Sequence, residues 1–277
     1  MATVATASSL IERYDAFLLD AYGVLVDGTG PLPHAAEFVR TLAERSKRRL
    51  LLSNDASRTP GQVITRLRGF DILLEDDEVL TSGMMLQPWV AQHGLEGAPA
   101  VVLGPEGSRR LATEASLRCV PPDDRSARVV VVCDEAGYDF LPTLEALLTT
   151  LIARQGAGEP TALVLPNPDV LYPKLAGAVG LTAGAAACVI ERALLARFPD
   201  AAPRFDRLGK PHAPIFEAAL ARVPGPVLMI GDQLETDVAG ARAAGIDVAL
   251  AETGVGRRPP PQATLQPTWI LESLEMR

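Results

Sequence analysis

Short, continuously apolar runs alternate along this chain with longer stretches whose apolar positions recur at helical spacing. The runs are Ala16–Asp20, Leu50–Ser53, Ala100–Leu103, Val129–Cys133, Thr161–Leu165, Val227–Gly231 and Val248–Ala251. The helical stretches are His34–Arg45, Gly61–Arg68, Gly83–Gln92, Leu141–Ala153, Ala185–Arg197, Pro214–Arg222 and Thr236–Ala244. Strands spaced by helices predict βαβ units and a parallel sheet. Such a sheet is covered on both faces, which is why its strands are apolar throughout instead of alternating. Pro259–Pro261 reads as a stiff connector before a last strand around Thr268–Leu271. Two Gly/Pro-rich breaks divide the chain, His93–Pro99 and a weaker one near Gly177–Gly184. The block between them has strand signals of its own and none of the acidic turns found elsewhere. It reads as an insertion after the second core strand, giving a core over residues 1–96 and 184–277 and an inserted domain over 97–183.

Composition narrows the function classes. The chain is 48% hydrophobic, so a sizeable core is expected. Lys and Arg number 26 against 34 Asp and Glu, a net charge of −8, which argues against a nucleic-acid partner. The one dense basic cluster, Arg45–Arg49, reads as a solvated helix end. Cys119, Cys133 and Cys188 are odd in number and lack C-x-x-C spacing, as expected of buried free thiols in a reducing compartment. The first residues lack a charged segment followed by an apolar one, and no apolar run approaches the roughly 18 residues of a membrane span. A cytoplasmic protein without a membrane partner is expected.

Four segments carry chemistry. Asp20 ends the first strong strand and is followed by Ala21-Tyr22-Gly23, so a carboxylate stands at a strand's carboxyl end, where open α/β sheets bind ligands. Ser53-Asn54 brings a hydroxyl and an amide to the end of the next strand. Gly209-Lys210-Pro211 supplies an isolated cation. Gly231-Asp232-Gln233-Leu234-Glu235-Thr236-Asp237 places two carboxylates on a turn entering a helix, where they can collect Mg²⁺ or cap the helix. Singly, these are also what an ordinary turn, a surface lysine and a helix cap look like.

Their order, with three of the four directly after apolar strands, resembles the four motifs of the haloacid dehalogenase superfamily. Room for a cap exists only between Ser53 and Lys210. The segments Leu165-Pro166-Asn167-Pro168-Asp169, Tyr172-Pro173, the small-residue run Gly180–Ala187, and Gly209-Lys210-Pro211 followed by Pro214–Glu217 resemble the NagD-like branch, subfamily IIA. The resemblance implies an α/β fold, with a Rossmann-like parallel-sheet core and an inserted α/β cap of the C2 type. It implies a Mg²⁺-dependent phosphatase of small phosphomonoesters, such as sugar or nucleotide phosphates, working through an aspartyl-phosphate. Asp20 would be the nucleophile, with Ser53 and Lys210 as the other catalytic residues. The metal would be held by Asp20, the carbonyl of Tyr22, Asp232 and Asp237. Asn54, Tyr22, Asn167 and Asp169 would meet the substrate. A small phosphorylated metabolite is the expected partner, with self-association left open.

One position departs from the pattern. Phosphatase members carry a second Asp two residues after the nucleophile, which protonates the leaving oxygen; here it is Tyr22, and a phenol of pKa about 10 suits that task poorly at pH 7. Two alternatives therefore stay open: a phosphometabolite-binding protein with little turnover, and a hydrolase of good leaving groups such as acyl phosphates. A 2-haloacid dehalogenase is the weakest alternative, because such enzymes carry the cap between the first two motifs and lack the Gly-Asp-x-x-x-Thr-Asp segment. Asp27-Gly28 reads as the turn of a flap hairpin.

Overall fold

The computed structural model describes residues 2–173, 178–254 and 256–277. In chain order its elements are β1 (Thr3–Ala5), α1 (Ala7–Arg13), β2 (Ala16–Leu19), α2 (Ala35–Glu44), β3 (Arg48–Ser53), α3 (Pro60–Arg68), β4 (Val79–Thr81) and α4 (Leu86–His93). There follow β5 (Pro99–Leu103), α5 (Glu106–Glu114), β6 (Arg118–Cys119), β7 (Val129–Val132), α6 (Phe140–Gly156), β8 (Ala162–Leu165), β9 (Leu171–Pro173), β10 (Val179–Leu181), α7 (Ala183–Arg197) and β11 (Phe205–Arg207). The chain ends with α8 (Ala213–Leu220), β12 (Val227–Gly231), α9 (Ala239–Ala243), β13 (Asp247–Ala251) and β14 (Trp269–Leu271). Each strand and helix expected from the pattern has a counterpart. Those not expected, such as β1, β6 and α5, are short or mostly polar.

Two compact units result. The first comprises the chain up to Ser53, Pro60–Thr81 and everything from Lys210 onward. Its seven-stranded sheet is parallel throughout, in the order β1-β14-β13-β12-β2-β3-β4. Phe17, Leu19, Leu51, Leu228 and Ile230 face a core shared with Leu10, Ile11, Phe38, Leu42 and Ile64 of α1, α2 and α3. Their neighbours Leu18, Leu50, Leu52 and Met229 are equally buried on the other face. Burial on both faces is the physical reason for the unbroken apolar runs. Arg49 corrects one expectation: it is not solvated but forms a fork with Glu78, Nε to Oε1 at 2.8 Å and Nη2 to Oε2 at 2.9 Å.

The second unit comprises Asn54–Thr59 and Ser82–Gly209. Its five-stranded parallel sheet has the order β11-β8-β7-β5-β6, and β9 and β10 form a separate antiparallel pair. This unit is wider than the expected 97–183 insertion at both ends. The break at His93–Pro99 lies inside it, where a short loop joins α4 to β5, because α4 packs against α5. At the other end, Ala183, Ala186, Ala187, Ile190 and Leu194 of α7 share one core with Val130, Val132, Leu147 and Leu163. Packing partners, not the nearest glycines, set these boundaries; Gly177 lies outside the described residues. Asn54–Thr59 is tied to α5: Ser108 Oγ donates to the carbonyl of Ala56 at 2.7 Å. A Cβ on Gly107 would lie 2.2 Å from the carbonyl oxygen of Ser57, so that approach needs glycine. The three cysteines are free, as expected, but Cys119 and Cys188 are exposed and only Cys133 is buried. No helix among the described residues is long and apolar enough to cross a membrane.

Candidate active site

In the first unit β3, β2 and β12 lie side by side and parallel, with Leu51, Leu19 and Ile230 in register. Ser53 ends β3, Asp20 follows β2, and Asp232 follows β12, so the three leave the sheet at one edge. The sheet grows from β2 toward β3 and β4 on one side and toward β12, β13 and β14 on the other. That reversal of direction opens the crevice in which such sheets bind ligands.

The turn after β2 is fixed by backbone bonds: Asp20 N–H donates to the Ile230 carbonyl at 2.9 Å, and Gly23 N–H to the Val26 carbonyl at 2.8 Å. Gly23 has φ +83, and a Cβ there would fall 2.3 Å from Asp232 Cγ. A Cβ on Gly254 would fall 2.1 Å from Asp232 Oδ2. The carboxylate of Asp232 thus occupies space that two glycines leave. Thr253 Oγ1 donates to the Gly23 carbonyl at 2.6 Å and ties the two loops. Asp27 Oδ1 accepts from Thr29 N–H at 2.6 Å and Gly30 N–H at 3.0 Å, and Val26 pairs with Pro31, as the flap-hairpin expectation requires.

After Asp232 the chain makes one wide, π-type turn, Leu234–Val238, in which Val238 N–H reaches back to the Gln233 carbonyl at 3.1 Å. Such turns recur at functional sites because the extra residue re-aims a side chain. Here Asp237, fully buried, accepts from Gln233 N–H at 3.1 Å and turns its other oxygen to Lys210. Lys210 Nζ lies 2.7 Å from Asp237 Oδ1 and 2.8 Å from Asp20 Oδ1.

These groups are buried together, Asp20 at 6% exposure, Lys210 at 2%, Asp232 at 2% and Ser53 at 4%. Burial works against the Lys210 ammonium, but the carboxylates of Asp20 and Asp237 outweigh it and hold its pKa above the ordinary lysine value. Asp20 is pushed well above the usual carboxylate range, first by burial and then by repulsion from Asp237 and Asp232, with Lys210 opposing. Three carboxylates against one lysine leave the site short of positive charge. Asp20, Asp232 and Asp237 each offer an oxygen, all within 4.8 Å of one another. An all-oxygen set of this kind, supported by a backbone cradle, fits a hard divalent cation such as Mg²⁺ or Ca²⁺.

The remaining candidates lie elsewhere. The Tyr22 phenol is turned to α3, where Arg66 Nη1 donates to its oxygen at 2.8 Å. Asn54, Asn167 and Asp169 belong to the second unit and form a cluster of their own. Asn54 Nδ2 donates to Asp169 Oδ1 at 2.9 Å, Asn167 Oδ1 accepts from Asp169 N–H at 3.1 Å, and Asn167 Nδ2 donates to Thr182 Oγ1 at 3.2 Å. Sequence reasoning missed Arg66, Thr253 and Gly254. Arg66 looks like any cation at the end of a helix, and the other two become neighbours of the site only through the return of β13.

Residues 17–118 match the family described as haloacid dehalogenase-like hydrolase, and residues 207–276 match a second family of HAD-like hydrolases. The chain belongs to the haloacid dehalogenase-like hydrolases, in the NagD-like subfamily IIA. It is 32% identical to the 5'-nucleotidase YutF of Bacillus subtilis over 95% of this chain and 97% of that protein. It is 30% identical to the acid sugar phosphatase of Staphylococcus aureus, over 88% of this chain and 89% of that one. Among solved structures, a glycerol phosphate phosphatase from Mycobacterium tuberculosis in complex with magnesium superposes with a TM-score of 0.76 at 25% identity, covering 96% of this chain and 76% of that chain.

Proposed function

We infer that this protein is a phosphatase of small phosphomonoesters, working through an aspartyl-phosphate with Mg²⁺ as its metal. The observation that carries this is the buried Asp20–Lys210–Asp237 chain of ion pairs beside Asp232. Nothing in a structural ion pair calls for a third buried carboxylate beside it, whereas a site for a dianion and a divalent cation does. The relatives named above act on nucleotides, sugar phosphates and glycerol phosphate according to their names, and the substrate is proposed to lie in that range.

In the proposed reaction a carboxylate oxygen of Asp20 forms a bond to phosphorus, and the bond from phosphorus to the alcohol oxygen breaks. The electron pair stays on that oxygen, which takes up a proton from water. Water then attacks phosphorus, releasing inorganic phosphate and restoring Asp20. Dividing hydrolysis this way is ordinary covalent catalysis. Lys210 stays charged throughout, orients the nucleophile and offsets charge on the transferring oxygens, with Ser53 as a hydroxyl donor to them. Asp20, Asp232, Asp237 and the Tyr22 carbonyl would hold Mg²⁺, which supplies charge neutralisation when bound. Asn54, Asn167, Asp169 and Tyr22 are proposed as substrate contacts on the strength of the resemblance. A cytoplasmic location is proposed with them.

Purified protein with Mg²⁺ is expected to hydrolyse p-nitrophenyl phosphate and to lose that activity in excess chelator. Full activity in chelator would remove the metal from the proposal. No hydrolysis of any phosphoester by metal-loaded protein would favour the second possibility, binding without turnover. Tyr22 is the specific observation behind that possibility. Acid-quench labelling separates slow dephosphorylation from absence of chemistry: a labelled Asp20 that accumulates means that the first step occurs and the second is slow.

A further inference from the structure

Lys210 belongs to no strand or helix: β11 ends at Arg207 and α8 begins at Ala213. Its ammonium is held between Asp20 and Asp237, yet a flexible four-carbon stem leaves the backbone beneath it undetermined. What fixes that backbone begins one residue back. Leu208 N–H donates to the Leu165 carbonyl at 3.1 Å, continuing the pairing of β11 with β8. Gly209 then enters a space that no side chain could share. A Cβ there would fall 2.5 Å from Asn54 Oδ1, 2.5 Å from the Pro166 carbonyl oxygen and 2.9 Å from Pro168 Cδ.

Asn54 is the link. It follows Ser53, the last residue of β3, whose place is set by pairing with Thr81 of β4. The buried Asn54 amide brings Oδ1 to Gly209 and donates through Nδ2 to Asp169 Oδ1 at 2.9 Å. Asp169 is anchored in turn. Its N–H donates to Asn167 Oδ1 at 3.1 Å, and its carbonyl accepts from Gly184 N–H at 2.8 Å, near the start of α7. One short loop, residues 166–169, therefore meets both the segment that leaves Ser53 and the segment that delivers Lys210. A misplacement of about 1 Å in a catalytic group can lower the rate about 10²-fold, so the spacing of these two segments bears on the chemistry.

We propose that Asn54, through its bond to Asp169 and its contact with Gly209, is a positioning residue that sets the backbone of Lys210 relative to Ser53. The proposal rests on the phosphatase reading above and concerns the rate of the chemical step, not the choice of substrate. Direct contact of Asn54 and Asp169 with substrate, the role their resemblance implies, predicts a different pattern.

Exchanging the two side chains separates the roles. Asn54→Asp sets two carboxylates against one another. Its kcat is expected to fall roughly 10- to 100-fold, by a common factor for p-nitrophenyl phosphate, a sugar phosphate and a nucleoside monophosphate, with KM nearly unchanged. Asp169→Asn alone keeps an acceptor for Asn54 Nδ2 and stays near wild type. In Asn54→Asp/Asp169→Asn the amide and the carboxylate have changed places, the bond re-forms with its direction reversed, and most of the lost kcat returns. The added charge beside Ser53 is the same in the single and double variants, so recovery cannot come from charge alone. Gly209→Ala, which drives a methyl group into Asn54 Oδ1 and the Pro166 carbonyl, should show the same loss of kcat at near-wild-type KM. Losses that differ between esters and appear in KM, a double variant no better than Asn54→Asp, or folded Gly209→Ala protein with wild-type kcat would overturn the proposal. Calorimetric binding of orthovanadate, which takes the five-coordinate shape of a transferring phosphoryl group, repeats the comparison on Mg²⁺-loaded protein without turnover. Its affinity should fall in Asn54→Asp and return in the double variant; equal affinity in all three proteins would count against positioning. That arm keeps the role of Asn54 separable from the phosphatase reading, whose own failure would show as absent hydrolysis of every ester by wild type.

Discussion

Replacing Asp20 by Asn is expected to lower kcat for any phosphomonoester by roughly 10⁴- to 10⁶-fold, the scale seen when a covalent nucleophile is removed. An amide at this position cannot form the acyl-phosphate bond, and it also withdraws one of the three oxygens facing the metal position. The side chain keeps its shape, so the Ala21 N–H bond to Oδ1, 2.7 Å in the wild type, still has an acceptor. The buried cluster loses a negative charge whose pKa is already raised by burial, so the fold should hold. Steady-state hydrolysis together with thermal melting checks both halves. A folded Asp20→Asn protein retaining more than a few per cent of activity would rule out attack by this carboxylate.

Lys210→Met is expected to act on stability and rate together. Without Nζ, the carboxylates of Asp20 and Asp237 share a buried space with no cation between them. Removing one partner of a buried ion pair costs about 3–5 kcal/mol. For a chain of this size that is a fall of about 6–15 °C in melting temperature. Loss of a group that offsets transition-state charge lowers kcat by a further 10²–10³-fold, approximately. Mg²⁺ should return part of the lost stability, because a divalent cation supplies the missing positive charge. Melting curves in chelator and in excess Mg²⁺ measure this. A Lys210→Met protein as stable as wild type in chelator would mean that Lys210 does not neutralise the two carboxylates.

The regular elements were legible in the amino-acid order because both faces of each central strand are buried, and that demand writes itself as continuous runs such as Phe17–Leu19 and Leu228–Ile230. The candidate acidic turns were legible too, since Asp20 and Asp232 sit directly after such runs. Chain order could not say which strands become neighbours. Parallel pairing of β12 with β2 joins segments more than two hundred residues apart, and only that pairing puts Lys210 between Asp20 and Asp237.

Boundaries and neighbours were the part that the order of residues left open. His93–Pro99 has the composition of a domain linker, yet it is no linker because the apolar side chains on either side of it bury into one unit. Arg49 stands in a run of five residues, four of them basic, and only the fold brings Glu78 to it. Tyr22 shows the same limit at the site itself. Its identity, read along the chain, marked a missing carboxylate; its partner Arg66 sits forty-four residues further on, in a helix with no motif. What a side chain replaces is visible from its place in a motif. What it does instead depends on which group the tertiary structure brings within hydrogen-bonding distance, and local spacing carries no record of that.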